Sequence, residues 1–135
     1  MALPLPTPNA DSRPYWDAAQ QGRLVVQHCT ACGTVQAVPR GCCGACQSPV
    51  LEWRDSALRG TVASFSVVHR GPTAAFRDST PYVLALIDVA GGVRLMLNII
   101  GPGREETQIG EEVEITFEPR GEAAFQMPQA RRITA

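Results

Sequence analysis

Two Cys-x2-Cys pairs, Cys29-Thr30-Ala31-Cys32 and Cys43-Gly44-Ala45-Cys46, confine what the first third of this chain can become. Each pair brings two thiolates to one side of a tight turn. Two such pairs ten residues apart close a four-sulfur cage of the zinc-ribbon or rubredoxin-like kind. Gly33 and Gly44 offer the permissive backbone that such turns need. Four thiolates fill a tetrahedral ion, so no position is left for water or substrate and the metal is expected to hold structure rather than to hydrolyse. Zinc is the expected ion. Iron in the same cage would make an electron carrier, and softness and geometry do not separate the two on sequence alone.

Two neighbours of the cage compete weakly with it. Cys42 offers a second spacing to Cys46, with three intervening residues, but the two-residue spacing selects Cys43 and leaves Cys42 a surface thiol. His28 adjoins Cys29 and is a bystander to a filled site. A thioredoxin-type redox dithiol is a single pair at a helix start, unlike the two pairs here.

All five cysteines fall between residues 29 and 46, which speaks for a metal in a reducing compartment and against a disulfide framework. No apolar run approaches the roughly 20 residues of a membrane helix, and the N-terminus lacks the regions of a secretion signal, so a cytoplasmic location is expected. With 135 residues, 44% apolar and 19% charged, the chain has the makings of one modest core and a small appendage.

Residues 1–22 read as an arm and a short helix. Pro4, Pro6 and Pro8 keep the arm extended, Asp11 or Ser12 can cap the helix, and Gly22 stops it. Tyr15, Trp16 and Ala19 share one helix face, which either packs on this chain or docks on a partner. Residues 23–50 form the ribbon module. In residues 51–135, after a connecting strand around Leu51-Glu52-Trp53, turns punctuate five strand-length pieces: Gly60 to His69, Tyr82 to Val89, Val93 to Ile100, Val113 to Glu118, and Phe125 to Ile133. Gly91-Gly92 is a hairpin signal, and Pro128 demotes the last piece to an edge or bulged strand. Five strands with a break after the third match the partly open Greek-key barrel of the OB-fold. The predicted class is mainly β: a short helix, a rubredoxin-like ribbon, then a five-stranded OB-fold barrel.

These residues resemble a known family, long filed as domain-of-unknown-function family thirty-five and associated with acyl-CoA enzymes. The resemblance rests on Tyr15-Trp16, Gly22-Arg23-Leu24, Cys29 to Gly33, Pro39-Arg40 and Cys43 to Cys46. It continues through Thr61-Val62, Phe65, Val68-His69-Arg70, Phe76, Pro81-Tyr82-Val83 and Phe125-Gln126-Met127-Pro128. Cys42 and the Met-containing ending depart slightly from the family pattern. The resemblance implies a non-catalytic accessory subunit that binds a thiolase-superfamily enzyme (a thiolase, a lipid-transfer-type aldolase or an acyltransferase) and helps form its acyl-CoA site. Carried onto this chain, it makes the loop from His69 to Tyr82 the candidate contact surface. Arg70 and Arg77 would pair with CoA phosphates, and Phe76 and Tyr82 would pack on an acyl chain or adenine.

A nucleic-acid module is the rival reading, since zinc ribbons and OB-folds both serve there. A formal charge of -1 and 6% aromatic residues supply neither the basic stripe nor the stacking platforms that role needs. A self-contained enzyme is the third class. The chain has no nucleophile elbow and no phosphate loop, and its histidines are His28 and His69.

Overall fold

The computed structural model describes residues 2–133. In chain order the elements are α1 (Arg13–Gln20), β1 (Val25–Cys29), β2 (Val35–Gln36), β3 (Leu51–Asp55), β4 (Arg59–Val68), α2 (Ala74–Arg77), β5 (Tyr82–Val89), β6 (Val93–Ile100), a 3-10 turn (Arg104–Glu106), β7 (Glu112–Arg120) and β8 (Phe125–Arg132).

Asn9 and Ser12 prepare α1 by exchanging hydrogen bonds: the Asn9 N–H donates to Ser12 Oγ at 3.0 Å and the Ser12 N–H to Asn9 Oδ1 at 2.8 Å. The Ser12 hydroxyl is therefore turned back and makes no side-chain cap on the helix, contrary to the expectation for Asp11 or Ser12. The C-terminus follows expectation. Gly22, at φ 72°, lets its own N–H and that of Arg23 return to the Ala19 and Ala18 carbonyls in a Schellman cap. The helix face docks on the chain's own body. Ala18 and Ala19 are buried, Tyr15 packs against the core, and Trp16 tilts on Phe125 at 5.7 Å. The Gln20 amide clamps the β8 backbone, accepting from the Gln126 N–H at 2.9 Å and donating to its carbonyl at 3.2 Å.

The ribbon sheet has the order β2-β1-β3. β3, the connecting strand of the sequence reading, pairs antiparallel with β1 along its whole length, from Val25 opposite Asp55 to Cys29 opposite Leu51. Leu24 and Val26 pass from this sheet into the main core, with Val35 and Ala37 packed against it, so ribbon and barrel share one apolar interior.

The other five strands close into a barrel of order β4-β5-β6-β8-β7, with β7 returning to β4. All neighbours are antiparallel except β6 and β8, which run parallel where Ile99 faces Ala130. Alternation fills the interior: Val83, Ala85, Ile87 and Val89 of β5 point inward, as do Val93, Leu95, Leu97 and Ile99 of β6. Gly60 forms the seam, facing Val89 on one side and Val113 on the other. A Cβ there would lie 2.6 Å from the Asp88 carbonyl oxygen, so only glycine lets the two edges meet. The irregularity expected at Pro128 is elsewhere. β8 is not bulged, since Pro128 faces Phe117 in an unbroken register with β7, but Pro128 does lie on a stretch paired on one side only, because the pairing to β6 begins at Ala130. The bulge falls in β4, between Val62 and Ser64.

Candidate metal centre and barrel cleft

The two knuckles are built on one repeated hydrogen-bond pattern. In the first, the Cys29 N–H donates to the Thr34 carbonyl and the Gly33 N–H to the Cys29 carbonyl. In the second, the Cys43 N–H donates to the Ser48 carbonyl and the Gln47 N–H to the Cys43 carbonyl. Gly33 and Gln47 hold the equivalent left-handed position, at φ 80° and φ 65°. The permissive role expected of Gly44 therefore belongs to Gln47. Glycine at 44 instead admits close neighbours, since a Cβ there would lie 3.2 Å from Arg40 Nη1.

This register makes Cys43 the counterpart of Cys29 and Cys46 the counterpart of Cys32. The Sγ atoms of Cys29, Cys32, Cys43 and Cys46 all lie within 4.8 Å of one another. Cys29 and Cys46 are 3.5 Å apart at sulfur, and Cys32 and Cys43 are 3.7 Å apart. A tetrahedral ion with bonds of about 2.3 Å sets sulfur–sulfur edges of about 3.8 Å, so the cage fits zinc with little adjustment. Cys42 and His28 stand outside the cluster.

The electrostatics favour thiolates. The N–H groups of Cys46 and Ala45, at 3.5 and 3.3 Å from the Cys43 sulfur, pull that thiol down to about 6. Thr34 draws Cys32 down through its hydroxyl and its backbone N–H. The Ser48 N–H works to lower Cys46, but its sulfur neighbours Cys29 and Cys32 prevail and push it up to about 12. A dication at the centre is what lets four crowded sulfurs ionise together.

A pair of amides, one buried and one half-buried, holds the second knuckle and is not evident from the sequence. Gln27, 3% exposed, accepts at Oε1 from the Arg40 N–H at 3.0 Å and from Gln36 Nε2 at 2.7 Å. It donates to the Arg40 carbonyl at 2.9 Å. Gln36 passes the relay on, accepting from the Gly44 N–H at 3.0 Å. Buried polar groups in a strand carry that cost only when fully partnered.

The second candidate region is a cleft of about 380 Å³ at the end of the barrel where β5 begins and β6 and β7 finish. Phe76 and Tyr82, whose rings are 5.8 Å apart, form one wall, with Ile100 and the arm residue Leu3 beside them. Of the four residues expected at a CoA contact, Phe76 and Tyr82 line this cleft, whereas Arg70 and Arg77 are exposed on the loop outside its lining. The cations that do line it are Arg104 and Arg120, from the 3-10 turn and the end of β7. Barrel closure brings them there from distant parts of the sequence. Arg120 is 12% exposed and its Nη2 lies 3.9 Å from Glu118 Oε1. Its Nη1 donates to the Pro4 carbonyl at 3.1 Å, and its buried Nε has no partner among the described residues. An orphaned buried donor costs about 1–3 kcal/mol.

Comparison with known proteins covers both modules of the chain. The sequence model for the rubredoxin-like zinc ribbon domain of ChsH2 matches residues 16–52, and that for the ChsH2 C-terminal OB-fold domain matches residues 53–118. A DUF35 domain-containing scaffold protein of Methanothermobacter thermautotrophicus is 32% identical over 99 residues, which is 73% of this chain and 74% of that protein. The chain belongs to the DUF35 family.

A probable enoyl-CoA hydratase alpha subunit of Thermomonospora curvata is 38% identical over 114 residues, 84% of this chain, but the chain spans only 35% of that protein's length. Among solved structures, a chain of the Ltp2-ChsH2(DUF35) aldolase superposes with a TM-score of 0.82 at 34% identity, over 95% of this chain and 98% of that one. The DUF35 ribbon is a zinc ribbon by its family model, and its four cysteines here are placed to bind a metal ion, which supports a structural zinc. No helix among the described residues is long and apolar enough to cross a membrane.

Proposed function

We propose that this DUF35 protein is a non-catalytic accessory subunit of a thiolase-superfamily enzyme, of the lipid-transfer-type aldolase or thiolase kind, and that it completes that enzyme's acyl-CoA site. The observation that carries the reading is the nearly end-to-end match to the DUF35 chain of an aldolase complex. The zinc cage is structural in this reading: it fixes the ribbon against the barrel and takes no part in chemistry. Phe76 and Tyr82 supply an aromatic wall for the acyl chain or adenine, and the exposed Arg70 and Arg77 on the same loop meet CoA phosphates from outside the cleft. The work is done in the cytoplasm, where the cysteines stay reduced.

Affinity purification of the tagged chain from its own cells, with companions identified by mass spectrometry, tests the reading. A stoichiometric companion of thiolase type is expected. Nucleic acid in the eluate, or a chain that never acquires such a companion, would contradict it. If the companion is found, Phe76→Ala and Tyr82→Ala should weaken acyl-CoA binding by the complex while leaving assembly intact.

A further inference from the structure

We propose that the barrel cleft binds an amphipathic organic anion, an oxyanion group on an apolar or aromatic body, with Arg120 and Arg104 as its cations and the N-terminal arm as its built-in competitor. This rests on the reading of the cleft as a ligand site and names what that ligand must carry. A guanidinium has five N–H donors in a rigid fork suited to two parallel bonds to an oxyanion. Among the described residues that of Arg120 is under-used: a neutral carbonyl at 3.1 Å, a carboxylate at 3.9 Å and an Nε with no partner. Arg104 Nη1 reaches the Gly101 carbonyl at 3.4 Å, the long edge of hydrogen bonding. Both arginines line the cleft.

The acceptor now on Arg120 belongs to the chain itself. Pro4 presents its carbonyl to Nη1, Leu3 lines the cleft and the Leu5 side chain lies over Gly121. The arm thus holds the place an anionic group would take. Glu118 and Asp78 also line the cleft, so the site is not strongly positive. Recognition there depends on directed donors at short range, combined with burial of the ligand's body against Phe76, Tyr82 and Ile100.

Isothermal titration with two probes tests the proposal: adenosine 3′,5′-bisphosphate, a phosphate on an aromatic body, and octanoate, a carboxylate on an apolar chain. Inorganic phosphate serves as the bare-anion control. At least one organic probe should bind, and bind more tightly than inorganic phosphate. A chain beginning at Pro6 should bind it about tenfold more tightly, and Arg120→Met about tenfold less tightly, the scale of one charge-assisted bond. Arg104→Gln should weaken binding in the same direction, which covers the case that Arg120→Met folds poorly. Preference for the bisphosphate assigns the oxyanion to a nucleotide, and preference for octanoate to an organic acid.

Failure of both probes to bind the chain beginning at Pro6, or binding unchanged in both Arg120→Met and Arg104→Gln, would overturn the proposal. Companion capture is read in parallel. A thiolase-type companion retained without anion binding sinks the anion site alone. Anion binding retained without a companion sinks the accessory-subunit reading alone.

Discussion

Stripping the metal should unseat the ribbon from the barrel, and the structure sets the scale of the loss. Leu24 and Val26, at 1% and 3% exposure, are the residues preceding and within β1 that enter the main core cluster; its other members lie on barrel strands. Full burial of an aliphatic side chain is worth about 1.5–3 kcal/mol. Release of the pair therefore removes about 3–6 kcal/mol from a domain whose whole stability is of order 5–15 kcal/mol. The barrel core itself survives this loss, so chelation should split one melting transition into two and lower the barrel's Tm by about 10 °C or more. The assay is calorimetry with and without chelator, with released zinc titrated colorimetrically and one ion per chain expected. A melting curve unchanged after complete metal release would refute the reasoning, because it would mean that the cage bears no structural load.

Other substitutions probe single parts of the account. Gln47→Gly should stabilise the chain by about 0.5–1 kcal/mol in thermal melts, since it relieves a left-handed non-glycine residue; a loss would mean the Gln47 side chain has a role the backbone does not explain. Gly60→Ala should cost about 1–3 kcal/mol, because the new Cβ meets a fixed backbone oxygen on the barrel seam. Gln27→Ala should cost about 1–3 kcal/mol and quicken zinc release to a chelator, since it orphans both backbone groups of Arg40. Glu111 accepts from Arg132 at 2.8 and 3.0 Å, and those bonds hold its carboxyl below its ordinary value of 4.5. A depressed folded value adds stability above pH 4.5 that is lost as pH falls through the folded value. Glu111→Gln should therefore lower stability at neutral pH and flatten the acid limb of the stability curve.

Much of this architecture is legible in the sequence, because its strongest signals are short-range. The Cys-x2-Cys spacing picks out the four cysteines whose sulfurs gather in one cage, and Gly91-Gly92 with its flanking apolar runs marks the β5–β6 hairpin. What escapes reading depends on contacts between distant residues. Gln47 takes a position that habit assigns to glycine, and only the repeated knuckle hydrogen bonds reveal it. Gln27 and Gln36 look like solvent-facing strand residues until Arg40 and Gly44 become their hydrogen-bond partners. Pro128 marks a local edge correctly, but nothing nearby shows that β8 meets β6 two residues later and so closes the barrel. The family resemblance puts the cations on the His69–Tyr82 loop, as Arg70 and Arg77, whereas the arginines lining the cleft are Arg104 and Arg120, which only the closing of the barrel brings beside that loop's rings.

The central claim concerns where the chemistry resides, and a reconstitution tests it most directly. Acyl-CoA turnover would be measured for the chain alone, for its purified companion alone, and for the two recombined. The account predicts no turnover by the chain, impaired turnover by the companion, and recovery on mixing. Turnover by the chain alone, or a companion indifferent to its presence, would contradict it.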